Sequence, residues 1–344
     1  VIQIRAKPAF EPETLIVGLL SRKNKGESPM TCIRCKHGTA KRFGTYGKAR
    51  IQRFRCKTCK ATFTTHKRPL GRHYISSEQA ARILELLMEG MSVRAVSRIT
   101  GVHKSTILSL LLTVGERCRR VFDTRVRNIR PRFVQADELW TFVHTKERHL
   151  FPGDSPEWGD TYIWMAIDSE TKLVLSYLTA KREAMSAYEF IGDLSKRVRG
   201  HFQITTDGFK AYIPAIEDQF GADVDFAQLV KVYGTPDGEG PEWYAPSQVT
   251  ATIPTPIIGN PHPARISTSH VERANLSVRT SLRRFTRLSL GFSKSLEHLR
   301  ASVSLYMAYF NFCRVHSTLR VTPAMQAGIA DHIWTLQELL EAGA

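Results

Sequence analysis

Two sets of residues in this sequence have the types and spacing to do chemistry. The first is a set of four cysteines. Cys32-Ile33-Arg34-Cys35 is followed, after 20 residues, by Cys56-Lys57-Thr58-Cys59. A CxxC turn brings two sulfurs to one ion, and two such knuckles supply the four thiolates that close a tetrahedron around Zn2+. The spacing predicts one structural zinc held by Cys32, Cys35, Cys56 and Cys59, with His37 and His66 as spare donors. Residues 49–56 read as a strand that delivers the second knuckle opposite the first, so residues 30–66 are expected to form a zinc ribbon. Arg34, Lys36, Arg53, Arg55, Lys57 and Lys60 around it suit phosphate contacts. Two redox-active CxxC pairs are the alternative use of the same residues.

The second set is carboxylates far apart in sequence. Asp137 sits in the apolar run Phe133-Val134-Gln135-Ala136-Asp137-Glu138-Leu139-Trp140-Thr141-Phe142-Val143, where an acid is costly unless paired or metal-bound. Asp207 follows a short strand pattern over 203–206, at its carboxyl end. Glu272 lies early in Ser269-His270-Val271-Glu272-Arg273-Ala274-Asn275, a lone acid ahead of Arg273, Arg279, Arg283, Arg284 and Arg287. Acids from distant positions can converge on two metal ions about 3.5–4 Å apart, the arrangement that drives in-line displacement at phosphorus. On position alone three substitutes stay open: Glu138 for Asp137, Asp168 for Asp207 and Glu297 for Glu272. His270 is the histidine best placed to assist, two residues before Glu272. Trp140 and Trp164 read as core residues.

These side chains need a scaffold, and the hydrophobic period supplies one. Strand patterns cover 133–143, 161–168 and 173–179; a helix pattern covers 184–198; a short strand at 203–206, a helix at 209–220 and a strand at 225–233 follow. Three strands in succession, then helix, strand, helix and strand, then a helical segment over 269–341, match the order of an RNase H-like mixed sheet. Residues 234–268 are rich in Pro, Gly and Thr, show no clear period, and read as an insertion. The expected organisation is a poorly specified segment 1–29, the ribbon 30–66, a helical domain 76–128, a catalytic domain 132–323 and a helical tail 324–344. Val1 opens the sequence and Met30 precedes the first cysteine, so two natural starts stay open: Met30, or Val1 from an alternative start codon. No internal repeat is present.

The helical segment 76–128 carries its own pattern. Ser76 and Gln79 suit a capping box, and Ala80, Ile83, Leu84, Leu87 and Met88 form one apolar stripe that ends at Gly90. Ser92 caps a second helix over 93–99, Thr100-Gly101-Val102-His103 makes the turn, and Lys104 opens a third helix. Gly101 sits where positive φ is useful, Ser97 is small where two helices approach, and Val96, Val102, Ile107 and Leu110 fall at core positions. This is the spacing of a helix-turn-helix. Its third helix would enter the major groove with Lys104, Ser105 and Thr106 facing bases or phosphates. A plain three-helix bundle without a DNA role fits the same apolar stripe.

Of the 344 residues, 49 are Lys or Arg and 32 are Asp or Glu, a formal net charge of +17, and 42% are apolar. The apolar content suffices for a core. The charge favours a polyanionic partner through counterion release. No stretch of 18 apolar residues spans a bilayer, and the short apolar run over 14–20 is too short and poorly flanked for a secretory signal.

The ribbon, the helix-turn-helix, Asp137-Glu-Leu-Trp-Thr-Phe-Val143 and His270-Val-Glu-Arg-Ala-Asn-Leu-Ser-Val-Arg279, continued by Gly291-Phe-Ser-Lys-Ser-Leu-Glu297, Tyr309-Phe-Asn311 and His316, resemble in their order the DDE transposases. The resemblance is greatest to the IS1 insertion-sequence family, and it spans residues 30–323. It implies Asp137, Asp207 and Glu272 as the catalytic acids, holding two Mg2+ ions with Mn2+ as a substitute. It also implies phosphoryl transfer by water or a DNA 3′-hydroxyl, and terminal inverted repeats and target DNA as partners. Lys104, Ser105, Thr106, His270, Arg273, Arg279, Arg283 and Arg284 are then DNA-binding residues. A homodimer or larger oligomer on DNA and a cytoplasmic, nucleoid-associated setting in a bacterium or archaeon follow from the same resemblance. The insertion 234–268 is longer and richer in proline than the family pattern. A transposase-derived DNA-binding regulator without cleavage is the alternative from a different class; a host nuclease on the same fold is a third.

Overall fold

The computed structural model describes residues 30–46, 50–64, 70, 73, 75–234 and 248–343. Residues 1–29, His66, Ala344 and the centre of the Pro/Gly-rich segment at 235–247 lie outside the described residues. The chain divides after Lys67 into two compact units.

The first unit is a three-stranded antiparallel sheet of β1 (Ala40–Tyr46), β2 (Ile51–Cys56) and β3 (Thr62–Thr64), in that order. The register sets Ala40 opposite Cys56 and Phe54 opposite Phe63. Its buried apolar residues are Cys32, Ala40, Phe54, Cys56 and Phe63. A core this small does not hold a fold by burial alone, and domains of this size usually need a metal or disulfides.

The second unit opens with α1 (Ser77–Met88), α2 (Val93–Thr100) and α3 (Lys104–Arg125). Ser76 Oγ accepts the Gln79 amide at 3.1 Å and Ser92 Oγ the Ala95 amide at 3.2 Å, so both short helices start on a side-chain cap. Gly101 takes φ +70° at the turn, and Ser97 Oγ donates to Val102 O at 2.7 Å across it. Leu84, Val96, Ile107 and Leu110 are fully buried.

The second sheet has six strands: β4 (Phe133–Val143), β5 (Gly159–Asp168), β6 (Val174–Ala180), β7 (Phe202–Asp207), β8 (Val224–Gly234) and β9 (Gln248–Ile258). Their spatial order is β6-β5-β4-β7-β8-β9. β4 runs antiparallel to β5 and parallel to β7; β8 is parallel to β7 and antiparallel to β9. This mixed sheet with helices on it is the RNase H-like arrangement expected from the element order. β9 is a departure from the sequence reading, which took 234–268 as an insertion without period. Pro254 and Pro256 lie in β9, opposite Leu229 and Ala227. A proline cannot donate to a ladder, so such a strand is tolerated only at an edge, where β9 sits.

α4 (Ala184–Arg197) and α5 (Tyr212–Phe220) pack on one sheet face, where Trp164 is enclosed by Phe190, Phe209 and Tyr212 at ring-centroid distances of 5.8, 6.0 and 5.7 Å. α6 (Ser269–Ser281) packs against β4 and β5. α7 (Leu296–Phe312) is followed by two short helices, α8 (Pro323–Gln326) and α9 (Leu336–Ala342). The helical segment expected over 269–341 is therefore interrupted: residues 282–295 form a turn and loop, with Leu288 at φ +54° and Gly291 packed against Arg283 O. α3 packs along α7, and the crossing is closest at Gly115, where a Cβ would lie 2.5 Å from Ala301 Cα. A glycine inside a helix costs about 1 kcal/mol relative to alanine, and here its missing side chain is what admits the second helix. α1, α2 and α3 thus share one buried core with the sheet.

Candidate active site and metal centre

In the ribbon, the four cysteine sulfurs lie within 4.8 Å of one another. Cys32 Sγ is 3.7 Å from Cys59 Sγ, and Cys35 Sγ is 3.5 Å from Cys56 Sγ. These separations are too long for disulfides. They match the edge of a tetrahedron about 3.8 Å across that follows from Zn–S bonds of about 2.3 Å. Each knuckle ends on a lysine in the left-handed region, Lys36 at φ +61° and Lys60 at φ +59°. The Cys35 amide beside Cys32 lowers the Cys32 thiol, and the Cys59 amide brings Cys56 down to about 5. Cys35 goes the other way: the His37 amide lowers it, but burial and the Cys56, Cys59 and Cys32 thiols outweigh that and push it up to about 11. Four sulfurs crowded at tetrahedral spacing fit a zinc ion, which binds them as thiolates. His37 turns away, its Nδ1 3.0 Å from Cys35 O.

In the sheet, β4 pairs with β7 only as far as Gln135 and Thr205. Beyond that point the two strands carry Asp137, Glu138 and Asp207, and one carboxylate oxygen from each lies within 4.8 Å of the others. Neighbouring residues on a strand face opposite ways, and the partners show it. Asp137 Oδ2 accepts Asn275 Nδ2 from α6 at 2.8 Å. Glu138 accepts Tyr212 Oη from α5 and Arg182 Nε at 2.9 Å. Asp207 Oδ1 accepts the Phe209 amide at 3.0 Å, and its Oδ2 accepts Arg182 Nη2 at 3.1 Å. Arg182 lies over the Phe209 ring, 4.0 Å from its centroid, so one guanidinium ties two acids to an aromatic floor.

Glu272, in the first turn of α6, accepts Thr268 Oγ1 and is paired with Lys231 of β8. It is outside the tightest acid group, yet its charge helps to raise Asp137. Burial pushes Asp137 up to about 6, and Asp207 and Glu272 add to the effect. Burial and Asp207 push Glu138 up to about 7. The third element, α6, is set by Gln135, whose Oε1 accepts the His270 and Val271 amides at 2.8 and 3.2 Å. The helix has no side-chain cap of its own, so a β4 residue two positions from Asp137 fixes where Glu272 and Asn275 stand. Asn275 Oδ1 is buried without a hydrogen-bond partner among the described residues. Hard oxygen donors that raise one another's pKa, with a buried acceptor beside them, fit a divalent cation such as Mg2+.

The substitutes weighed from sequence fare differently. Asp168 is buried in the β5–β6 turn, where it accepts the Glu170 amide at 3.0 Å and Thr171 Oγ1 at 2.7 Å. Glu297 is exposed in the first turn of α7. Glu138 does join the acids. Arg182, Tyr212, Lys231, Asn275 and Gln135 were not singled out from sequence; the Asn275 position, three residues after Glu272 on one helix face, was the one available signal.

The expected DNA contacts also separate. Lys104 and Ser105 are exposed at the start of α3, where His103 Nδ1 accepts the Ser105 amide at 3.3 Å, and Thr106 is half-buried. Arg273 and Arg283 are exposed. His270 is exposed with Nδ1 3.3 Å from Lys172 Nζ. Arg279 donates to Phe285 O and Trp140 O, both at 3.3 Å, and Arg284 donates to Ser293 Oγ at 3.0 Å. Trp164 is core as expected, but Trp140 is half-buried and lines a cleft. No helix among the described residues is long and apolar enough to cross a membrane.

Residues 157–230 match a family model described as a DDE domain, of the IS240 kind. Asp207 lies inside the match, while Asp137 and Glu272 flank it. No curated protein matches the chain. Among solved structures, the chain is similar to a piggyBac transposase synaptic complex with hairpin DNA at 14% identity and TM-score 0.36, over 79% of this chain and 71% of that one. It is similar to the Mos1 strand transfer complex at 14% identity and TM-score 0.19, over 46% of this chain and 58% of that one. For a pre-cleavage Mos1 transpososome the values are 12%, 0.19, 48% and 61%. This chain thus spans less than two thirds of those Mos1 chains. Residues 157–230 are thus similar to a DDE domain, and the sheet gathers Asp137 and Glu138 beside Asp207 of that segment.

Proposed function

We propose that the chain binds the terminal inverted repeats of an insertion sequence, cleaves the DNA there and joins the ends to target DNA. The observation that carries this reading is the convergence of Asp137 and Asp207, from strands that stop pairing just before them, with α6 bringing Asn275 onto Asp137 and Glu272 close behind. Placement in the IS1 family rests on the four ordered sequence blocks.

Asp137, Asp207 and Glu272 would hold two Mg2+ ions, or Mn2+ in their place. Bound there, such ions polarise the scissile phosphate and sharpen a water or 3′-hydroxyl as nucleophile. The chain's own residues prepare that site. Asn275 orients Asp137, Arg182 orients Asp207 and keeps Glu138 in place, and Lys231 with Thr268 orients Glu272. Arg273 and Arg283, exposed on and just after α6, and His270 meet the backbone phosphates; Lys104, Ser105 and Thr106 read the repeat, and Arg279 and Arg284 line the strand's path. The ribbon, with one Zn2+ on Cys32, Cys35, Cys56 and Cys59, adds phosphate contacts. The domain division is the ribbon 30–66, the reader 76–128, the catalytic part 132–323 and the tail 324–344. Joining two ends calls for two end-bound copies, so the working form is a homodimer or larger, in the cytoplasm on nucleoid DNA.

The test is nicking of an end-labelled terminal-repeat duplex. Mg2+-dependent nicking by the wild type that disappears in Asp207→Asn and persists in Asp168→Asn supports the reading. Tight repeat binding with every strand intact would instead favour a DNA-binding regulator.

A further inference from the structure

On the side away from β5, β7 leaves the outer half of β4 without a strand neighbour, and the segment after α6 fills that place. Val143 bridges Ser293 in parallel, and the His144 amide donates to Ser293 O at 2.8 Å. Between the strand and this segment lies a cleft of about 610 Å³, a size common for small-ligand sites, roughly 300–1,000 Å³.

One side of the cleft is aromatic. Trp140 and Phe142 have ring centroids 5.8 Å apart, and Phe142 and Phe292 4.7 Å apart. The other side is cationic, with Arg279, Arg284 and Arg287, and Lys146 Nζ stands 5.9 Å from the Trp140 ring. No acid lines the cleft among the described residues. Arg279 and Arg284 make their hydrogen bonds to two carbonyls and a hydroxyl, and neither is in an ion pair among the described residues. Burial lowers both to about 10, with Arg287 adding to the effect at Arg279. Desolvating two guanidiniums without a counter-charge is costly unless an anion arrives to match them.

We propose that this cleft takes an unstacked nucleobase of the DNA strand, its ring over Trp140 and Phe142 and its flanking phosphates on Arg284 and Arg287. Aromatic faces interleaved with arginines are the chemistry that holds single-stranded nucleic acid. The proposal deepens the nuclease reading and rests on it. Trp140 follows Glu138 by two positions on β4 and shares its sheet face, about 7 Å along the strand, within reach of nucleotides next to the acid group.

The test uses the full, zinc-loaded chain in Ca2+ with a 12-nucleotide single strand carrying 2-aminopurine, and a matched strand with an abasic site. Quenching of 2-aminopurine by the wild type is expected. Trp140→Ala should relieve it and weaken binding about fivefold or more, while Trp140→Phe keeps most of both. Arg287→Ala, at an exposed position, should lower the slope of log affinity against log salt by about one. Circular dichroism checks that each variant is folded. Unchanged quenching and affinity in Trp140→Ala, or equal affinity for the abasic strand, would overturn the proposal. The two readings fail separately: Trp140-dependent quenching without any Mg2+-dependent duplex nicking keeps the cleft and removes the nuclease, and nicking without Trp140 dependence does the opposite.

Discussion

Gln135 and His270 are 135 residues apart, and the Gln135 side-chain carbonyl accepts the His270 amide at 2.8 Å. Gln135 is itself buried on β4, so the start of α6 is anchored to the strand that carries Asp137. Gln135→Leu leaves two helix amides without their acceptor. The urea midpoint should fall by an amount equivalent to about 1–3 kcal/mol, and strand cleavage should fall further than stability, because Glu272 and Asn275 lose their placement. Full cleavage by a destabilised variant would show that α6 needs no such anchor.

Single neutralisations of the acids should separate chemistry from binding. Asp137→Asn, Asp207→Asn and Glu272→Gln are each expected to lower nicking by about two orders of magnitude or more, since two-metal sites fail when one ligand is lost. Repeat binding in gel shifts should persist. Glu297→Gln is the remote control. Glu138→Gln is not remote, because Glu138 holds Arg182, and Arg182 holds Asp207. An intermediate loss is expected there; near-normal nicking by any of the three principal variants would sink the assignment.

Zinc removal should act on the small unit first. Metal analysis should find one zinc per chain, and Cys56→Ser should largely abolish it. With five buried apolar residues in that unit's core among the described residues, the metal-free ribbon should unfold while the α/β unit keeps its circular dichroism signal. A ribbon that stays folded and protease-resistant without zinc would contradict this.

The raised acids make stability without divalent cation depend on pH. Asp137 and Glu138 titrate near 6 and 7 when folded, against 3.8 and 4.5 as ordinary groups. Between about pH 4 and 7 the folded chain holds more protons than the unfolded one, so their contribution favours folding at low pH and is lost as pH rises through 6–7. In Mg2+-free, zinc-loaded protein, Asp137→Asn/Glu138→Gln should gain stability over wild type at pH 7.5 and lose that advantage at pH 5. Urea midpoints at the two pH values check it; a pH-independent difference would refute it.

Gly115→Ala should lower the melting temperature. The added methyl meets Ala301 backbone at 2.5–2.7 Å, and forcing the two helices apart typically costs about 1–3 kcal/mol. An unchanged melting temperature would mean the crossing can relax freely.

Legibility in the sequence followed the locality of the signal. β4 has the bounds expected, because its apolar and β-branched run starts just after Pro131-Arg132. The two capped helices and the turn at Gly101 were readable for the same reason: capping and positive φ are decided within four residues. β9 was missed because its prolines speak against a strand and only an edge position excuses them. The break at 282–295 was missed because apolar residues continue through it; Leu288 and Leu290 look like helix-core positions yet are 90% and 92% exposed. Arg182, Tyr212 and Lys231 reach the acids only through the packing of separate elements, which no local pattern reveals. Trp140 read as core because strand period cannot show where a neighbouring strand stops.

The 22 residues of α3 form a rod about 33 Å long. Its first turn exposes Lys104 and Ser105, and its middle is seated on α7 at Gly115. If the first turn reads DNA as proposed above, a rod that joins it to the body holding the acids would work as a gauge. Between Lys104 and the seat at Gly115 lie about 17 Å of it, half of one B-DNA turn of about 34 Å. The bases read and the bond cut would then keep a set offset along the duplex and a set rotational phase around it. Five base pairs inserted between them would turn the scissile phosphate to the far side of the helix, and ten would restore its facing but not its distance.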